Sequence, residues 1–121
     1  MRHLLAVVLA GALLASGCSA AQDGLFANDD SRRPPDYAYV IPAGSGEAID
    51  RGESLDILPE ELDVKVGEVI EIVNEDDRGH LIGPFFVGKG ETLRQRFSSP
   101  GTFIGDCTVH PSGRIVLRVA A

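Results

Sequence analysis

The chain has 121 residues, with 18 Asp and Glu against 11 Lys and Arg, a net charge of −7 and no tryptophan. That length allows one domain with a modest core, and an acidic balance without an arginine–aromatic stripe argues against a nucleic-acid binder. Soft ligand atoms are scarce: three histidines and two cysteines in all.

Arg2 and His3 open the chain, and Leu4 to Leu14 is an apolar run of eleven residues. A helix needs about 20 such residues to cross a bilayer, so this run suits a signal peptide spanning residues 1–17. The following Ala15-Ser16-Gly17-Cys18 resembles the lipobox of bacterial lipoproteins, with Ala15 where leucine is usual. The resemblance implies that Cys18 is acylated and becomes the mature N-terminus, anchoring the protein to a bacterial membrane on its extracytoplasmic side. Paired acyl chains make such anchoring stable. Cleavage near Ala20 or Ala21 would instead give a soluble exported protein; either route exports the domain, and the anchored one places it in the cell envelope.

Residues 18–36 are polar, rich in Ala, Asp and Arg, and end in Pro34-Pro35. This is the composition of a flexible tether, so the domain is expected over residues 37–121. Within it, Leu62-Asp-Val-Lys-Val66 alternates apolar and charged residues as a half-buried strand does. A turn at Val66-Gly67-Glu68 leads into a second strand, Val69 to Val73. Further strands are expected at Tyr37–Ile41, Leu81–Val87, Thr92–Phe97, Thr102–Cys107 and Arg114–Val119, with turns at Gly88-Lys89-Gly90 and Ser98 to Gly101. Gly44-Ser45-Gly46 reads as a turn, and only Pro59-Glu60-Glu61 could begin a helical turn. About seven short strands at regular spacing predict an all-β fold, an antiparallel β-sandwich.

Acidic residues crowd the first part of the domain. Beyond residue 77 only Glu91 and Asp106 remain, against Arg78, Lys89, Arg94, Arg96, Arg114 and Arg118. Most of that charge solvates the surface, and any bias it gives is toward an acidic partner.

The second half also carries His80, Cys107 and His110. Two imidazoles and one thiolate form the ligand set of a trigonal copper site, tolerable to both Cu(II) and Cu(I). Zinc would accept the same donors with a water. Outside the cytoplasm structural cysteines are normally paired. If Cys18 carries lipid, Cys107 has no partner, and a metal would protect the thiol from oxidation. Asn74, six residues before His80, would either tie the ligand-bearing loops together or serve as an ordinary turn asparagine.

The segments Val73-Asn74 with His80, Pro100-Gly-Thr-Phe103 and Cys107-Thr-Val-His110-Pro111 resemble the cupredoxins, the blue copper family of plastocyanin, azurin and pseudoazurin. The likeness covers residues 37–121. It implies a Greek-key β-sandwich, one copper ion held by His80, Cys107 and His110, and single-electron transfer to and from a redox protein partner. His110 would be the exposed edge through which electrons pass. Leu81, Pro84, Phe85 and Pro111 would supply an apolar collar around it.

One departure matters. Plastocyanin-like members carry an axial methionine five residues after the second histidine; here that residue is Ile115, and the only methionine is Met1. The centre would have three ligands, with the Gly79 carbonyl as a weak fourth, and loss of a thioether donor raises the expected potential. The same donors would serve copper delivery or storage without redox turnover, and the same fold would serve as a zinc-bound or metal-free interaction module. An enzyme is not expected, because copper oxidases and reductases of this superfamily need further histidines. A monomer is expected.

Overall fold

The computed structural model describes residues 25–121; Cys18 and the signal segment lie outside the described residues. Nine strands and one short helix follow in order: β1 (Phe26–Asn28), β2 (Tyr37–Ile41), α1 (Ser45–Asp50), β3 (Glu61–Lys65), β4 (Val69–Asn74), β5 (His80–Ile82), β6 (Phe85–Val87), β7 (Thr92–Phe97), β8 (Gly101–Asp106) and β9 (Arg114–Ala120). One sheet has the order β1-β7-β4-β2, a second β3-β9-β8, and β5-β6 forms a separate hairpin.

Alternation explains which faces meet. On β3, Leu62 and Val64 are buried between exposed Glu61, Asp63 and Lys65. Ile70 and Ile72 of β4, Phe97 of β7 and Leu117 and Val119 of β9 join them in one apolar cluster drawn from both sheets. Burial of such side chains contributes about 25 cal/mol per Å² of apolar surface, and it is what holds the two layers face to face.

The expected sandwich is present, with differences in detail. It is not wholly antiparallel: β2 runs parallel to β4, and β3 parallel to β9. Neither pair is joined by a hairpin: β3, in the opposite sheet, lies between β2 and β4 in the chain, and β4 to β8 lie between β3 and β9. The expected single strand Leu81–Val87 is a hairpin. Gly83 takes φ of 58° at its turn, where a Cβ would also meet Ile115, so glycine is needed there.

The N-terminal arm also departs from the tether expected over residues 18–36. Phe26–Asn28 pairs antiparallel with Phe97–Gln95 of β7. Arg94 fastens the arm: its Nε donates to buried Asp29 at 2.8 Å, one terminal nitrogen reaches Glu71 at 2.9 Å, and the other donates to the Arg33 carbonyl. The helix lies at Ser45–Asp50, not at Pro59-Glu60-Glu61, so Gly44 to Gly46 is its start rather than a free turn.

Candidate metal centre

His80 opens β5 and faces inward, 2% exposed, with Leu81 turned out and Ile82 in. The same alternation acts on the other loop. Phe103 and Gly105 of β8 point toward the interior, Asp106 points outward opposite Arg114, and Cys107 continues the inward set at 1% exposure. An isolated bridge between Ile82 and Cys107 joins the two segments. The Gly83 N–H donates to the Asp106 carbonyl at 2.7 Å, and the Thr108 N–H to the Leu81 carbonyl at 2.9 Å. The backbones bearing His80 and Cys107 therefore run side by side.

The turn after Cys107 is closed by its own backbone. The Cys107 N–H donates to Gly113 at 3.0 Å and the Gly113 N–H returns to His110 at 2.9 Å. Buried Val109 plugs this turn into the core, and its carbonyl accepts the Ile57 N–H at 3.1 Å. Cys107 and His110 share the wall of one surface cleft of about 420 Å³ with Ile49, Leu55 and Asp106; His80 is not among its walls.

Each donor has a defined environment. Burial pushes the Cys107 thiol up from its ordinary range, partly opposed by the Val109 backbone N–H, so without a metal it keeps its proton. It is a free cysteine. The His80 ring has Nε2 2.7 Å from Asp76 Oδ2 and Nδ1 3.2 Å from Thr108 Oγ1. His110 Nδ1 lies 2.7 Å from Ser112 Oγ and accepts the Ser112 N–H at 3.1 Å. Its Nε2 is 3.9 Å from Asp56 Oδ1, beyond hydrogen-bonding reach.

The structure thus brings two of the expected residues into one cleft and lays the third beside them on the adjoining strand. It does not draw the three to a common point: among the described residues no three His, Cys, Asp or Glu side chains gather closely enough to hold a metal ion. By chemistry the donors fit copper, with two imidazoles and one buried thiol whose proton a metal would replace. By position they fit incompletely, since the nitrogens facing Thr108 and Ser112 must exchange those hydroxyls for the ion.

Asn74 proves to be a buried organiser of the His80 loop. Its amide nitrogen lies within 3.1 Å of the carbonyls of Arg78, Val87 and Gly88, and its Oδ1 accepts the Asp76 N–H at 3.0 Å. It therefore ties the loop 75–79 to the end of β6, not to the Cys107 loop. Asp76 was not singled out from the sequence. Burial alone would raise its carboxyl, but hydrogen bonds from His80 and from the N–H groups of Gly46, Asp77 and Gly44 outweigh that and hold it at about 2. Its spacing from His80, four residues within one turn, is the signal that could have found it.

The apolar collar is not assembled around His110. Phe85 is core, its ring edge-on to Phe26 at 4.9 Å. Pro84 lines a different cleft beside Phe26 and Leu93, while Pro111 stays with His110. Ile115 is 3% exposed in the core cluster and offers no donor. Gly79 lies under the Phe86 ring, where a Cβ would collide with it.

No family model matches the chain, and no curated protein matches it. Among solved structures it is similar to a purple cupredoxin from Nitrosopumilus maritimus, at 20% identity and TM-score 0.44, over 70% of this chain and 100% of that one. It is similar to amicyanin from Paracoccus versutus at 20% identity and TM-score 0.44, over 74% of this chain and 86% of that one. The P52G mutant of amicyanin in its reduced Cu(I) form aligns at 20% identity and TM-score 0.44, over 75% of this chain and 87% of that one.

Proposed function

We propose that the domain binds one copper ion through His80, Cys107 and His110 and carries single electrons to and from a redox protein partner. The observation that supports this most is the adjacency of the donor-bearing backbones: the Ile82–Cys107 bridge joins the strand that carries His80 to the segment that carries a buried, free thiol, with His110 in the closed turn that follows. Bound copper would supply a Cu(II)/Cu(I) couple. The chain's own residues exclude water from the thiol and hold the His110 turn at the surface. With no thioether near Ile115, the expected potential is higher than that of a methionine-ligated centre. Export by residues 1–17 and attachment through an acylated Cys18 belong to the same reading, placing the domain at the outer side of a bacterial membrane.

The test is titration of the purified domain with Cu(II) while recording its visible spectrum. An intense thiolate-to-copper charge-transfer band at one equivalent is expected, and Cys107→Ser abolishes it. A colourless wild type overturns the reading.

A second reading, a metal-free interaction module, is favoured by one observation. The His80 ring already has a protein partner at each nitrogen, and among the described residues no three donors converge. Under that reading copper and zinc both fail to raise the unfolding midpoint, whereas a resident metal stabilises the folded state by mass action.

A further inference from the structure

Asp76 is 2% exposed, yet its carboxylate has a donor at every contact. Oδ1 accepts the Gly44 N–H at 3.1 Å, and Oδ2 accepts the Gly46 N–H at 2.8 Å. The same Oδ2 lies 2.7 Å from Nε2 of His80. An ionised carboxylate can only accept, so Nε2 must carry the hydrogen. Two of the carboxylate's partners, the Gly44 and Gly46 N–H groups, come from the opening of α1, some thirty residues away in the chain. Arg78, two residues on from Asp76, fastens the other end of α1 through a two-pronged pair with Asp50 at 3.0 and 2.9 Å. The helix is thus bound at both ends to the loop that carries this carboxylate. On the far side of the imidazole, Nδ1 faces the Thr108 hydroxyl at 3.2 Å, on the residue next to Cys107, and that hydroxyl's one hydrogen also has the Leu81 carbonyl at 3.3 Å.

We propose that Asp76 is a positioning residue: it holds His80 as the Nε2–H tautomer and keeps the Nδ1 lone pair turned toward the strand of Cys107, open to a ligand beside the Thr108 hydroxyl. The assignment deepens the copper reading and rests on it only for the identity of that ligand. Histidine ligands whose second nitrogen is held by a carboxylate are oriented and made more basic, and loss of such a partner costs 10- to 100-fold in metal affinity. Asn in place of Asp frees an imidazole to take the other tautomer while leaving the shape of the site nearly unchanged.

The experiment is long-range ¹H–¹⁵N correlation on the metal-free full chain, with His80 assigned by its disappearance in His80→Gln. The wild type is expected to show a bare Nδ1 and a protonated Nε2. Asp76→Asn shifts His80 toward a protonated Nδ1 and weakens Cu(I) binding, measured by competition with a chromophoric chelator, by about 10- to 100-fold. Thr108→Val leaves the tautomer as in the wild type and does not weaken copper binding. It serves as the second variant if Asp76→Asn does not fold. A wild-type His80 protonated at Nδ1, alone or at both nitrogens, overturns the inference, as does an unchanged tautomer in Asp76→Asn or a switched one in Thr108→Val. A wild type with the expected tautomer that takes up no copper supports the inference and overturns the copper reading alone.

Discussion

Replacing Asn74 separates two accounts of the loop that carries His80. Its side chain is 1% exposed and occupies both polar ends: the carbonyl accepts the Asp76 N–H, and the amide reaches three main-chain carbonyls, of Arg78, Val87 and Gly88. The amide has two hydrogens, so the side chain makes at most three full hydrogen bonds. At about 0.5–1.5 kcal/mol each, Asn74→Ala is expected to cost about 3 kcal/mol. Asn74→Asp is the sharper probe. Aspartate keeps the acceptor for Asp76 N–H, which is all that an ordinary turn asparagine supplies. It loses both donors and sets a buried carboxylate against three carbonyl oxygens, so it should destabilise at least as much as alanine. Urea unfolding followed by far-ultraviolet circular dichroism measures both. An aspartate variant within about 0.5 kcal/mol of wild type would refute the idea that the amide donors organise the loop.

Two further outcomes follow from particular contacts. Tyr37 donates to Glu68 at 2.8 Å, and burial, that hydrogen bond and the nearby carboxylates push its phenol up to about 12. The unfolded chain ionises near pH 10 while the native state keeps its proton, so this contribution is complete below pH 10 and is lost as pH rises toward about 12. Tyr37→Phe should flatten the fall of the unfolding midpoint across that window, and an unchanged slope would contradict the assignment. A Cβ on Gly46 would run into the far end of the Arg78 side chain; Gly46→Ala should push that side chain off Asp50 and cost up to about 1 kcal/mol, the worth of an exposed ion pair. Adding Arg78→Ala should relieve it, so strictly additive costs in the double variant would rule out the collision.

The sequence was most legible where pattern and pairing agree. Thr92–Phe97 and Tyr37–Ile41 have the bounds expected from their alternation, because each has one face on a core and turn residues at its ends. The apolar run from Leu81 to Val87 hid a hairpin: its hydrophobicity speaks for burial, whereas only the positive φ of Gly83 shows the reversal. Phe26–Asn28 is three residues long and is a strand only because β7 lies beside it, a dependence that no local signal carries. Helix α1 begins at two glycines and is held by a carboxylate on a distant loop. Asp76 was legible only through its spacing from His80, since Glu75-Asp76-Asp77 has the look of a solvated turn and burial of its middle member depends on α1 closing over it. Cys107 and His110 were legible as a pair because a strand end and its following turn are local. The approach of His80 depended on the Ile82–Cys107 bridge across the fold.

The most direct measurement of the central claim is X-ray absorption at the copper edge on the domain loaded with one equivalent. A first shell of one sulfur and two imidazole nitrogens is expected, with the sulfur lost in Cys107→Ser and one imidazole lost in His80→Ala. A shell of oxygen and nitrogen without sulfur, or one unchanged by His80→Ala, would contradict a copper centre built on these two loops.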